Sequence, residues 1–369
     1  MVTIVSRLRV VVLYGGRSVE REVSRISART IAEALDPARY EVLPLAVGPD
    51  GRFLPAGESR RLLATGPVPE KFRRADSEED TIDARALVPA EITPARADVV
   101  IPIIHGTTGE DGTLQGFLDF LGIPYVGAGV AGSAIGMDKA VFKSLLRDAG
   151  LPTTRFFSLS PSERGGLAEK LLARDRPFAL PFFVKPSNGG SSVGVTKVKN
   201  REELDAAVDL AFRYDDRVVI EEGVDARELE CAVLGNDEPR SSVVGEVVPG
   251  REFYDYDDKY REDKAKLLIP APVEHALSEE VRRLAVRAFR VAGVSGMARV
   301  DFFLERGTDR VLVNELNTLP GFTAISMYPK LWEASGLPLP ALLDELIRLA
   351  LERKERRDRI SHEPPAELT

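Results

Sequence analysis

Two stretches in the last third of the chain carry side chains that could do chemistry together. Arg299 and Asp301 stand two residues apart in the apolar run Met297 to Leu304. Glu315 and Asn317 have the same spacing at and just beyond the end of the run Arg310 to Glu315. In extended backbone, alternate side chains leave by one face, so each pair shares a side. A hairpin turning near Thr308 sets Asp301 opposite Glu315 and Arg299 opposite Asn317. Two carboxylates held that close repel, and one pKa rises unless a cation sits between them. Oxygen donors without His or Cys suit magnesium or manganese rather than zinc, and magnesium commonly bridges to substrate phosphates. A cross-strand salt-bridge patch around Arg299 fits the same spacing. These residues alone leave both open.

A second candidate is the stretch Lys185-Pro186-Ser187-Asn188-Gly189-Gly190-Ser191-Ser192-Val193-Gly194, directly after the short strand expected at Phe182 to Lys185. Glycine lets backbone approach a ligand closely, and exposed N–H groups can cradle phosphate oxygens while Lys185 adds a point charge. The lysine precedes the glycines and no Gly-Lys-Ser/Thr ending follows, so this is not a Walker A loop. A plain β-hairpin turn fits equally well. Gly15-Gly16 fails the G-x-G-x-x-G test, which disfavours a nicotinamide site.

The elements that must position these groups follow from patterning. Leu8 to Tyr14 is a continuous apolar run, as expected of a strand buried on both faces, and Gly15-Gly16 turns the chain. Ser18 can cap a helix whose apolar positions run from Val19 to Leu35 at helical spacing. Strands are expected at Tyr40 to Val47 and Asp98 to Ile104, which makes a parallel α/β unit. The polar segment from about Arg60 to Ala97, with its charge run Asp76 to Asp80, reads as an insertion or flexible connection. Beyond about Gly127 come a helix at Lys139 to Ala149, a helix at Arg201 to Phe212 and a strand at Val218 to Glu222. Antiparallel strands are expected at Leu229 to Leu234 and Ser242 to Val248, and a helix from Ser278 to Ala292. A charged irregular loop spans Arg251 to Lys266, and a last helical region starts near Leu339.

With 369 residues the chain has room for two or three domains. Its formal net charge of -8 argues against nucleic acid as the main partner, because that needs a basic face. The single cysteine, Cys231, rules out a disulfide framework and fits a reducing compartment, with Cys231 itself a small buried hydrophobe. No stretch reaches the roughly 20 apolar residues of a membrane span, and Val10 to Tyr14 is too short for a signal peptide.

Taken in order, several stretches resemble the D-alanine–D-alanine ligases of the ATP-grasp superfamily. They are Gly15 to Ser24, His105-Gly106 with Gly109 to Gly112, Met137-Asp138-Lys139, and Lys185 to Gly194. Tyr254-Asp255-Tyr256 with Lys259-Tyr260, Arg299-Val300-Asp301, and Asn314 to Thr318 through Pro320-Gly321 complete the set. The resemblance spans roughly residues 8 to 330. It implies a three-domain ATP-grasp fold, α/β with α+β parts. An N-terminal parallel α/β domain would occupy 1–127, a central subdomain 128–222 and a C-terminal subdomain 223–352 with its lid loop 251–266, before a flexible tail 353–369.

The resemblance also assigns roles. Asp301, Glu315 and Asn317 would hold two Mg2+ (or Mn2+). Lys139, Lys185 and the lid residue Lys259 would contact ATP phosphates, Glu228 the ribose, and Glu221 and Glu222 would lie at the adenine edge. Many relatives have lysine where this chain has Glu222. Glu20 would pair with the first substrate's ammonium and join Ser191 and Tyr260 in a hydrogen-bonded latch, with His105 near the first D-alanine. Arg299 and the Gly321 N–H would stabilise a tetrahedral oxyanion. Ser326 and the Met327 backbone would bind the second carboxylate at a helix start. The implied reaction joins two D-alanines through D-alanyl phosphate at the cost of ATP, in a cytoplasmic homodimer without membrane or nucleic-acid partners, serving peptidoglycan precursor synthesis. Tyr260 resembles the alanine-accepting members rather than those that make a D-lactate ester. The alternatives are another ATP-grasp dipeptide or depsipeptide ligase, and a nucleotide-binding regulator that has lost catalysis.

Overall fold

The computed structural model describes residues 7–65, 88–165, 179–249 and 266–361. The apolar run at the start of the chain forms β1 (Leu8–Gly15), flanked in parallel by β2 (Tyr40–Val47) and β3 (Val99–Pro102). Val10 to Tyr14 are all fully buried, because as the central strand β1 has both faces covered. The helix Arg21–Ala34 follows the glycine turn. Its N-cap is Glu20 rather than Ser18; the Ser18 hydroxyl instead accepts the Glu20 N–H at 2.9 Å. The supposed connection from Arg60 is ordered at both ends. The helix Ala56–Thr65 buries Leu62, and Ile92 and Ala97 are buried at the other end, while the charge run lies outside the described residues.

A four-stranded sheet follows: β4 (Phe156–Leu159), β5 (Phe182–Pro186), β6 (Thr196–Val198) and β7 (Val218–Glu222), in the order β4-β7-β5-β6. Its pairs are antiparallel, and the helix Leu204–Ala211 fills its core with Leu204, Ala207, Val208 and Ala211. The third sheet contains β8 (Ala226–Gly235), β9 (Arg240–Val248), β10 (Lys266–Leu268), β11 (Gly296–Glu305) and β12 (Val311–Asn317). Its order is β10-β9-β8-β11-β12. The helix His275–Val291 covers one face. It starts a turn before Ser278 and is entered at Glu274, so Ser278 is not its cap.

The cores do not follow the segment limits drawn on the sequence. The helix Lys139–Asp148 places Phe142 and Leu146 in the core beneath β8 and β11, not in that of the four-stranded sheet. The final helix, Leu339–Asp358, returns to the N-terminal unit and sets Leu343 and Ile347 in one core with Val10 and Tyr14. The tail expected to be flexible over 353–369 is helical through Asp358, and Arg353 within it is buried.

Candidate active site

The β11–β12 hairpin pairs Arg299 with Asn317 and Asp301 with Glu315, the register that two-residue spacing requires. A bulge between Asp301 and Phe302 then shifts the register, so Phe302 faces Val313 and Asn314 is the extra residue. Asn314 and Glu315 thereby both reach one cavity. Arg299 is bidentate to Asp301, with 2.7 Å to each oxygen, and its Nε lies 2.9 Å from Glu230 Oε2. Burial alone would lower the Arg299 pKa; Asp301 and Glu230 outweigh it and raise it well above the ordinary value. The salt-bridge patch thus exists: Glu230 and Asp301 hold the guanidinium directly, and Glu315 adds to the charge that raises its pKa.

Among the described residues no group of three or more His, Cys, Asp or Glu side chains is placed to hold a metal on its own. Sequence patterning missed Glu230. It faces Asp301 across β8–β11, and the alternation Glu228-x-Glu230 was the available signal.

A cavity of about 550 Å³ lies between the four-stranded and five-stranded sheets. Lys139, Lys185, Glu221, Glu222, Glu228 and Asp301 all line it. The Lys139 ammonium donates to the Gly189 carbonyl at 2.6 Å, which ties the start of its helix to the glycine-rich turn. That turn does join the antiparallel strands β5 and β6, as a plain hairpin turn would, and it also lines the cavity. Lys185 is ion-paired with Glu221, whose carboxylate is 2% exposed. Glu221 also meets Lys143 at 2.9 Å and accepts from Thr154 at 2.7 Å, so its charge is turned inward. Glu222 accepts from the Arg155 backbone and guanidinium, each at 2.8 Å.

A smaller cavity, about 150 Å³, is lined by Glu20, His105, Ser191, Gly321, Ser326 and Met327, and Asn317 borders it. Ser191 donates to Glu20 Oε1, closing the N-terminal unit onto the glycine-rich turn. His105 is 5% exposed, with Nδ1 3.2 Å from Glu110 Oε1; the Gly106 N–H donates to the other Glu110 oxygen at 3.0 Å. Burial would lower the His105 pKa, but the Glu110 hydrogen bond and charge outweigh it and raise it. Burial likewise holds the Glu110 carboxyl above its ordinary range. Sequence reading quoted Glu110 only within a motif.

A Cβ on Gly321 would stand 2.9 Å from Ser326 Oγ, so the turn is as close as a bare backbone allows. Ser326 is the N-cap of the helix Met327–Ala334, and both residues present that helix start to the cavity. Lys259, Tyr260 and the lid expected at 251–266 lie outside the described residues, save Lys266, which opens β10.

The two cavities share Lys139, Ser191, Glu230, Arg299 and Glu315 along their seam. A group bound in the small one would therefore lie against whatever fills the large one. Beside the lining residue Glu110, Gly109 has no room for a side chain: a Cβ would fall 1.8 Å from the Ile104 carbonyl oxygen. Gly109→Ala is expected to lower stability by about 2 kcal/mol, as overpacking does, which a shift of the urea midpoint measures.

Comparison with known proteins gives a consistent result. The family profile described as "D-ala D-ala ligase N-terminus" matches residues 9–128, and "D-ala D-ala ligase C-terminus" matches 145–348. The chain is 48% identical to the D-alanine--D-alanine ligase A of Chromobacterium violaceum, covering 94% of this chain and 96% of that protein. The solved D-alanine-D-alanine ligase of Coxiella burnetii superposes with a TM-score of 0.79 at 38% identity, over 96% of each chain. The VanG D-Ala:D-Ser ligase of Enterococcus faecalis gives 0.78 at 31% identity, over 94% of this chain and 100% of that one.

Proposed function

Because the chain belongs to the D-alanine–D-alanine ligase family, we propose that it joins two D-alanines at the expense of ATP. The observation that carries this is the seam. A cavity large enough for a nucleotide meets a small polar one at Lys139, Arg299 and Glu315.

The first D-alanine sits with its ammonium at Glu20 and near His105. Its carboxylate oxygen attacks the γ-phosphorus of ATP, ADP leaves, and D-alanyl phosphate forms. Lys139 at the seam and Lys185 on the wall of the large cavity face the phosphates, and Lys259, outside the described residues, is the third cation of this reading. Two Mg2+ (or Mn2+) held by Asp301, Glu315 and Asn317 would neutralise charge on the transferring phosphoryl group. The second D-alanine, its carboxylate at Ser326 and the Met327 N–H, then attacks the acyl carbon through its deprotonated amine, and phosphate leaves. Arg299 and the Gly321 N–H stabilise the oxyanion, and both line the small cavity. Ribose at Glu228 and the adenine edge at Glu221 and Glu222 complete the nucleotide pose. Since Glu221 is already paired inward, any base contact there comes with Lys185 beside it.

The product serves peptidoglycan precursor synthesis in the cytoplasm, by a homodimer formed through the N-terminal unit. No helix of the described residues is long and apolar enough to cross a membrane. The similarity to a D-Ala:D-Ser ligase makes acceptor choice the point to test. The protein is incubated with ATP, magnesium and D-alanine in the presence of equal D-serine and D-lactate, and the products are identified by mass spectrometry. D-Alanyl-D-alanine with stoichiometric ADP is expected. Predominant depsipeptide or D-alanyl-D-serine would overturn the acceptor assignment, and absence of ATP turnover the whole reading.

A further inference from the structure

Beneath the nucleotide-sized cavity lies a lysine that reaches neither cavity. Lys143 is 1% exposed. Its ammonium meets Glu221 Oε2 at 2.9 Å and donates to Thr154 Oγ1 at 2.8 Å and Thr153 Oγ1 at 3.2 Å. An ammonium has three donors, so all of them are spent within the protein. Thr154 in turn donates to the same Glu221 oxygen, and Thr153 to the Val313 carbonyl on β12. Lys143 is thus fixed. Lys185, on the other oxygen of Glu221, is the partner that lines the cavity. Burial alone would raise the Glu221 pKa, yet the charges of Lys143 and Lys185 hold it far below the carboxylate range.

Two cations share one buried anion. If Lys143 were absent, Lys185 would be the sole counter-ion of Glu221. Drawing it toward a phosphate would then strand a buried carboxylate, which is strongly unfavourable. With Lys143 beneath, Glu221 stays neutralised when Lys185 turns outward, and the trio presents a net positive charge to an anion. We propose that Lys143 is a positioning residue for ATP: it holds Glu221 charge-balanced from below and so frees the Lys185 ammonium for the nucleotide phosphates. The proposal rests on Lys185 facing phosphate.

The test is a double-mutant cycle on the full chain, with KM for ATP and for D-alanine measured at saturating magnesium. Lys143→Met should raise the ATP KM by about tenfold or more while the D-alanine KM stays within about twofold. In a Glu221→Gln background, where no buried carboxylate is left to hold Lys185 back, removing Lys143 should leave the ATP KM unchanged. An equal rise in both backgrounds, or none in either, overturns the proposal. So does a Lys143→Met/Glu221→Gln chain that fails to fold, since charge balance is then not what Lys143 supplies. If only Lys143→Met fails to fold while the double variant folds, the charge-balance role is supported. Lys185→Met separates the two ideas. An unchanged ATP KM there refutes Lys185 at the phosphates, whereas a rise there without one in Lys143→Met refutes the role of Lys143 alone.

Discussion

Glu315→Gln is expected to reduce ATP-dependent ligation by about a thousandfold or more, the scale of losing one electrostatic contribution of about 4 kcal/mol in a transition state. The fold should survive. Glu315 is opposite Asp301 on a hairpin whose apolar neighbours Val300, Phe302 and Leu316 are buried and keep the strands paired. The substitution keeps the volume and a carbonyl oxygen and removes only charge. If the carboxylates merely formed a salt-bridge patch around Arg299, relieving one of three acids would cost little, because Asp301 and Glu230 already hold the guanidinium. The two accounts therefore separate in one experiment. Phosphate release is followed against magnesium concentration, beside a thermal melt. A wild-type rate at ordinary magnesium would refute the metal assignment, whatever the melt shows.

Arg353→Ala should destabilise the protein by about 3 kcal/mol, from a residue far from the hairpin. The guanidinium is 9% exposed, and it donates to the carbonyls of Gly127 and Tyr125 and to Ser295 Oγ. Its Cζ lies 4.4 Å from the centre of the Tyr125 ring. Truncation leaves two buried carbonyls without this donor, at roughly 1–3 kcal/mol each. These contacts tie the last helix to the junction where the N-terminal unit passes into the rest of the chain. Arg359→Ala, six residues on, is the comparison. Its ion pair with Glu355 joins side chains 72% and 68% exposed, and such pairs are worth about 0–1 kcal/mol. A urea midpoint that falls equally in both variants would show that burial of Arg353 contributes nothing.

The two cases also show where sequence patterning reaches and where it stops. The pairing of Asp301 with Glu315 was legible because a short hairpin leaves few registers, and the alternation of side chains selects among them. The bulge that brings Asn314 beside Glu315 was not, since nothing in the apolar pattern marks where a ladder slips. Tyr40–Val47 and Val218–Glu222 match the expected strands because short, β-branched-rich segments bounded by turn residues are too short for a helix and suit a buried strand. The tail was misjudged for a local reason. From Glu352 onward the charges look solvated, and only the carbonyls of Gly127 and Tyr125, more than two hundred residues earlier, give Arg353 a buried place.

The register of the carboxylate hairpin met first in the sequence therefore stands as read, and the structure adds Asn314 and Glu230 beside it. By itself the sequence determined the longer strands but not the short ones β4, β6 and β10, the side on which Arg299, Asp301, Glu315 and Asn317 emerge, and the family. Tertiary structure alone decided that Glu230 joins them, that Glu110 backs His105, and that Lys143 underlies Glu221 and Lys185. The physical reason is that periodicity fixes which way a side chain points, whereas its charge partner depends on which sheets and helices come to face one another. Those partners come from segments far apart in the chain, and no local spacing records them.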